Sequence, residues 1–454
     1  MVCIDMWDKR KIHNGAFMAL FSVYFLILSV PHTVALRYLL AGLMLLWGLS
    51  NRNLRESTFM LSSSWPARGL LLFTAWIIVQ MMFVERSRDV LSEITGQWLP
   101  ALAAFYFGGM AATSAGDERK ALRWLFWLLL IGLLVINGDY FLQIFMNPGK
   151  IDLFGSSYPL FDNGQILLSR LMSSKVQISL FSSMGAIFAL SVLLSGLNNR
   201  SSWKSTGTLG VTVLLVLAIL ANVFAGARNG MLGIAGSLLS CMAIVLFFNH
   251  SLSKKKRLLT AGVMLLVLVG AVFLLYKSDP RWQRVAGSVE MGMHPDKYLA
   301  WTDLGKTPYP VLASGEPIEI SAFERMAFFS AGVQFSKETP LGVGYSREAF
   351  MWQVDKHYGG RPRHAHSGFA EYLTGTGVPG VLIWYGAMLL AVVMAWRSLR
   401  RHFDSVGLFC VLLPSGYMAR TVVENISRDH MLLLFMAMFG FSICLLMNKK
   451  MRPV

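Results

Sequence analysis

The chain has 454 residues, of which 55% are hydrophobic and only 15% charged, with a mean hydropathy of +0.52 and a formal net charge of +16. This balance excludes a soluble globular domain and identifies an integral membrane protein, with no nucleic-acid partner expected. Cys3, Cys241, Cys410 and Cys444 fall at the edge of or inside apolar runs and suggest neither a disulfide framework nor a metal site.

A helix of roughly 20 apolar residues crosses a hydrocarbon core about 30 Å thick, and its backbone groups are satisfied within the segment. The apolar runs do not alternate as barrel strands do. Spans are predicted near residues 13–30, 32–49, 67–84, 97–114, 121–143, 176–197, 206–226, 229–248, 258–276, 378–396, 406–419 and 431–447. The chain thus reads as an all-α polytopic protein with about 12 transmembrane helices, the runs beside Pro31 and around Pro414 being the least regular. Basic clusters at Lys9–Lys11, Arg52 with Arg55, Arg119 with Lys120 and Arg123, Arg200 with Lys204, Lys254–Arg257, Arg397–Arg401 and Lys449–Arg452 all fall on one side of that arrangement. Both termini are therefore expected in the cytoplasm. The first apolar run lacks a small-residue cleavage site and leads at once into a second span, so a cleavable signal peptide is not expected.

One connection is far longer than it needs to be. The segment 277–377 is too polar to cross a bilayer, and structureless loops beyond about 12–15 residues are usually functional or disordered. It is expected to fold as a mainly helical extracytoplasmic cap, because Phe323, Met326, Ala327 and Ser330 recur at helical spacing before Pro340 and a "GVGY" turn. The organisation is then spans one to nine in residues 1–276, the cap in 277–377, and spans ten to twelve with a tail in 378–454. A shorter polar loop near residues 146–175 faces the same side.

Arginines crowd the side that should be poor in them: Arg170, Arg228, Arg325, Arg347, Arg361, Arg363, Arg420 and Arg428. The planar guanidinium suits bidentate phosphate binding, whereas any one arginine at a helix end is also explained by snorkelling to headgroups. Arg228 is harder to explain that way, since it sits between two apolar runs with almost no loop. His364 and His366 form an H-x-H pair without further ligands nearby to complete a metal shell. Ser367 reads as an N-cap for a helix holding Phe369, Ala370, Tyr372 and Leu373, with Glu371 in its first turn. Gly375 and Gly377 permit unusual backbone angles, and Pro379 suits the first turn of the next span. Glu424, Arg428 and Asp429 either orient an arginine or pair with one another, and Asp139 is equally ambiguous.

These residues resemble a known family. Arg228 with Leu232 gives an R-x-x-x-L element, and His366-Ser367, nine residues, Gly377, two residues and Gly380 reproduce the H-[NSQ]-x9-G-x-x-[GTY] pattern of O-antigen ligases. "ERMAFFSAGVQFSKETPLGVGY" is similar to the arginine-led helix ending in P-L-x-G-x-G that precedes this histidine in the ligase and polymerase superfamily, its arginine here being Arg325. "SRLMSSKVQ" around Arg170 is a looser match.

The resemblance implies a glycosyltransferase of the bacterial inner membrane, its site facing the periplasm. It would move polysaccharide from undecaprenyl pyrophosphate to a sugar of the lipid A core, with inversion and without metal or nucleotide cofactor. The partners would be that donor, the lipid A core acceptor and membrane lipids. In this reading His366 is the base that takes the acceptor proton, since neutral imidazole accepts protons near neutral pH. Arg228 and Arg325 stabilise the departing diphosphate, with Arg170 and Arg347 as further candidates. Arg361, Arg363 and His364 guide anionic lipid, and Ser367, Glu371, Gly377 and Gly380 support the histidine. An O-antigen polymerase of the same superfamily is the nearest rival, and ligation to pilin or another protein is a further relative. A flippase would show midplane charges and repeat symmetry, neither of which is seen. A scaffolding protein would leave the arginine and histidine constellation unexplained.

Overall fold

The computed structural model describes residues 2–30, 32–146, 151–153, 156–158, 175–196, 205–225, 228–249, 252–278, 281–303, 306–360 and 365–450. The first half runs α1 (Val2–Ile27), α2 (Val34–Ser50), α3 (Arg52–Ser62), α4 (Trp65–Gln80), α5 (Ser87–Glu93), a π-helical turn (Ile94–Trp98), α6 (Leu99–Ser114) and α7 (Glu118–Met146). A hairpin of β1 (Ile151–Leu153) and β2 (Ser156–Tyr158) pairs antiparallel, with Ile151 opposite Tyr158, a small departure from the all-α expectation. Then come α8 (Lys175–Gly196), α9 (Ser205–Phe224), α10 (Arg228–Phe248) and α11 (Lys254–Ser278). The polar segment folds as α12 (Arg281–Gly292), a 3-10 turn (Leu299–Trp301), α13 (Ile320–Glu338) and α14 (Ala349–Tyr358), and α15 (Gly368–Leu399), α16 (Ser405–Val423) and α17 (Asp429–Lys450) close the chain.

Each of the twelve apolar runs lies on a helix. Among the described residues five helices are long and apolar enough to cross a membrane: Glu118–Asp139, Val176–Gly196, Gly368–Leu399, Ser405–Val423 and Asp429–Lys449. The pair α2 and α3, bent by 99° at their junction, makes a sixth if counted as one span, and shorter apolar helices cover His13–Ile27, Gly207–Val223 and Gly233–Phe247. The bend is written in Asn51, whose N–H closes α2 on the Trp47 carbonyl while its side chain accepts from Asn53 N and Leu54 N to open α3. The amphipathic α3 buries Leu54, Ser57 and Leu61 and exposes Arg52 and Arg55. It is too polar for a hydropathy window to find.

Small residues draw the apolar helices together. A Cβ on Gly108 would lie 1.9 Å from the Ala437 carbonyl oxygen, and one on Gly440 would lie 1.8 Å from that of Phe105, so α6 and α17 meet backbone to backbone. At Gly69 the same test meets Ala387 at 2.7 Å and joins α4 to α15.

The polar segment has its own core. Trp301, Phe323, Phe328, Phe335, Phe350 and Val354 are all buried, and the cluster reaches Ala365 and Ala370, which seats it on the start of α15. Aromatic edge-to-face contacts fill it, with Trp301 and Phe350 both against Phe328 at 5.7 and 5.5 Å. Arg86, just before α5, lies over the Trp352 ring at 4.6 Å and adds a cation–π tie from this unit to the bundle.

Candidate active site

Two of the sequence elements interlock at one break in α15. Gly377 has φ 69° and ψ −175°, an angle pair essentially reserved for glycine, and Pro379 follows with no N–H to donate. The break frees the carbonyls of Thr374, Gly375 and Thr376. Each finds a donor elsewhere: Val343 N–H at 3.0 Å, Gly344 N–H at 2.9 Å, and Trp76 Nε1 at 2.8 Å. Gln80 Nε2 bridges Gly375 O at 3.1 Å and Leu341 O at 2.7 Å, while Val378 N–H turns outward to Pro340 O at 2.9 Å. The "PLGVGY" loop therefore completes the broken helix, and Gly342 (φ 80°) and Gly344 (φ 113°) supply the left-handed turns that let it do so. Gly375 itself is helical rather than unusual in backbone; a Cβ there would press on Gly344 O at 3.1 Å and Ala349 Cβ at 3.3 Å. At Gly380 a Cβ would strike the Thr376 side chain at 2.2 Å.

Ser367 is the N-cap of α15 and accepts from Ala370 N–H at 3.2 Å, as its position before the apolar run predicts. His366 lies just before it, half-buried, its ring 5.6 Å from that of Phe328 on α13. Arg325, also half-buried, is one turn before Phe328, and residues three apart share a helix face. His366 and the Arg325 side of α13 thus lie together.

Arg228 opens α10, and its side chain lies outside the described residues. Helix α10 runs antiparallel to α16: a Cβ on Gly233 would be 3.7 Å from Arg420 Cδ, and one on Gly416 would be 3.0 Å from Ser237 Oγ. The start of α10 is therefore at the same end of the bundle as the end of α16, whose following loop touches the chain beside His366. Arg170, Arg361, Arg363 and His364 lie outside the described residues.

Arg347 is held by carboxylates. Its Nε donates to Glu93 Oε2 at 3.0 Å, and its NH2 group to Glu93 Oε1 at 3.4 Å and Asp429 Oδ1 at 3.3 Å. The bond to Glu93 raises the guanidinium above its ordinary range. Asp429 has φ 48° and is clamped by Gln97, which accepts its N–H at 2.7 Å and donates to its carbonyl at 3.2 Å. Gln97 comes from the π-helical turn, a feature frequent at functional sites.

Glu371 pairs with Arg428, which also donates to the Arg347 carbonyl, and burial pushes this guanidinium down to about 10. Glu424 accepts from Arg420 at 2.8 and 2.6 Å, and Arg420 reaches the Val176 carbonyl at 3.2 Å. Glu424 thus pairs with Arg420 one turn back on α16, whose C-cap it is, and Asp429 with Arg347 from the polar segment.

Glu93, Tyr345, Arg347, Glu371, Asn425 and Arg428 line one small cleft. Glu93 and Asn425 carry no sequence signal, being a lone acid and a lone amide that only the fold brings to the loop beside His366. Among the described residues no three His, Cys, Asp or Glu side chains are grouped to hold a metal ion.

Residues 213–385 match the family model described as O-antigen ligase. Over this segment the chain is similar to O-antigen ligases. No curated protein matches the chain. The matched segment begins within α9 and ends within α15, so it holds Arg228, Arg325, Arg347, His366, Ser367, Glu371, Gly377 and Gly380. Glu93, Arg420, Asn425 and Arg428 lie outside it and are supplied by flanking helices and by the loop between α16 and α17. The chain thus combines a segment similar to O-antigen ligases with apolar helices long enough to cross a membrane.

Proposed function

We propose that the protein is an O-antigen ligase that transfers a polysaccharide from undecaprenyl pyrophosphate to a sugar of the lipid A core at the periplasmic face of the inner membrane. All twelve apolar helices span the bilayer in this reading, and the α12–α14 unit is a periplasmic cap. The charge distribution supports the orientation. Arg52 with Arg55, Arg119 with Lys120, Lys254–Arg257, Arg397–Arg401 and Lys449 lie at the bundle end opposite His366, as cytoplasmic ends require. Lys449 bonds Asp404 at 2.6 Å there, and one pocket gathers Asp117, His402 and Lys449.

The observation that carries the chemistry is the meeting of His366 with the Arg325 side of α13, at the bundle end where α10 begins with Arg228. The acceptor hydroxyl oxygen attacks the anomeric carbon as the bond from that carbon to the pyrophosphate oxygen breaks. His366 takes the hydroxyl proton, and the electron pair leaves with the pyrophosphate. In this reading Arg228 and Arg325 stabilise the charge that builds on that leaving group, an interaction stronger in the transition state than before it. Attack from the face opposite the leaving group inverts the anomeric centre.

Electrophoresis of lipopolysaccharide from a deletion strain tests the reading. Bare core with accumulated lipid-linked polymer is expected, and wild-type complementation restores the ladder. Core bearing a single repeat would instead identify a polymerase.

A further inference from the structure

His366 stands outside the hydrogen-bond ladder of α15, so something other than a helix must fix its main chain. The loop between α16 and α17 does this from both flanks. On the N-terminal side the Ala365 carbonyl accepts from Asn425 Nδ2 at 3.3 Å, and on the C-terminal side Gly368 N–H donates to the Glu424 carbonyl at 3.3 Å. Asn425 is itself held at both ends of its amide. Its Nδ2 also donates to Glu371 Oε2 at 2.7 Å, and its Oδ1 accepts from Ser427 N–H at 3.4 Å. A flipped amide would turn its oxygen toward a carboxylate and a carbonyl, so one orientation is selected. Glu371 is anchored in turn by Arg428, and Glu424 by Arg420, whose side chain contacts the region of Gly233 on α10. One short loop therefore ties the peptide before the histidine to the helix that begins with Arg228.

We infer that Asn425 is a positioning residue for the transfer step: through the Ala365 carbonyl it sets the main chain from which the His366 imidazole is presented. The inference rests on His366 being the base. It requires that loss of Asn425 slows transfer while leaving recognition of the diphosphate intact, because Asn425 acts through the histidine. A misplacement near 1 Å in such a site lowers rate roughly 100-fold.

The test uses the purified full-length chain in proteoliposomes, with lipid-linked saccharide as donor and farnesyl pyrophosphate as the binding probe. Asn425→Ala is expected to lower kcat roughly 100-fold with farnesyl pyrophosphate affinity unchanged. Asn425→Asp separates positioning from general packing. At neutral pH its carboxylate faces Glu371 and the Ala365 carbonyl with no proton to donate, Arg428 and Arg347 being engaged by Glu371, Glu93 and Asp429, and Glu424 by Arg420. Protonation restores one donor. The activity of Asn425→Asp relative to wild type should therefore rise as pH falls, while the ratio for Asn425→Ala stays flat.

Wild-type kcat in Asn425→Ala, or parallel ratios for the two variants, overturns the inference. If Asn425→Ala does not fold, the pH dependence of the Asp variant decides. Full activity in His366→Ala would instead defeat the assignment of the base, whatever Asn425 does.

Discussion

Gly377→Ala is the sharpest perturbation of the α15 break. The residue sits at φ 69° and ψ −175°, which a side chain disfavours by about 1–3 kcal/mol. The new Cβ would also lie 2.3 Å from the Leu341 carbonyl carbon and 2.4 Å from the Pro340 oxygen, so the "PLGVGY" loop must move. Moving it breaks the bonds from Val343 N–H to Thr374 O, from Gly344 N–H to Gly375 O and from Val378 N–H to Pro340 O, each contributing about 0.5–1.5 kcal/mol net. A combined loss of roughly 3–7 kcal/mol is expected, a large share of the roughly 5–15 kcal/mol that holds an ordinary domain folded. Thermal unfolding of the detergent-purified chain measures it, beside Gly386→Ala, which lies in the same helix with nothing within 4 Å of its added Cβ and should be neutral. A Gly377→Ala protein with the unfolding midpoint and ladder of wild type would refute the interlock.

Removing one partner of the Glu371–Arg428 pair leaves a charge in a largely buried site, so Glu371→Leu or Arg428→Leu should each destabilise by about 3–5 kcal/mol, with the double variant losing less than the two together; additive losses in thermal unfolding would deny the pair. Gln80→Leu withdraws the only side-chain donor that reaches both Leu341 O and Gly375 O among the described residues, and should lower stability by about 1–3 kcal/mol on the same assay. Arg228→Lys keeps the charge and loses the planar fork, so ligation should fail; near-normal ladders would mark Arg228 as a headgroup anchor.

Much of the architecture was legible because hydrophobic periodicity acts locally. The apolar runs became helices, Ser367 capped α15, and the helix expected around Phe323 to Ser330 formed as α13. Helix α3 escaped because its apolar face is narrow and its charges keep mean hydropathy low. In the candidate site, the histidine and glycine pattern was readable through its resemblance to O-antigen ligases, and the fold gives its spacing a physical reason: Gly377 and Pro379 create the break, and the loop of Pro340 to Gly344 fills it. The ion-pair frame was not readable. Glu93 and Arg347 are 254 positions apart, and Asn425 lies 60 from Ala365, distances over which a single sequence carries no pairing signal. Arg347 shows the same limit from the other side, since its residue type suggested phosphate binding while its neighbours are Glu93 and Asp429.

The central claim is a metal-independent transfer in which His366 takes the acceptor proton. The most direct measurement is transfer of lipid-linked polysaccharide to lipid A core by the purified full-length chain in proteoliposomes containing EDTA. Ligated product from the wild type and none from an equally folded His366→Ala protein is the predicted result. Product formation by His366→Ala at the wild-type rate, or loss of wild-type activity in EDTA with recovery on adding a divalent ion, would contradict it.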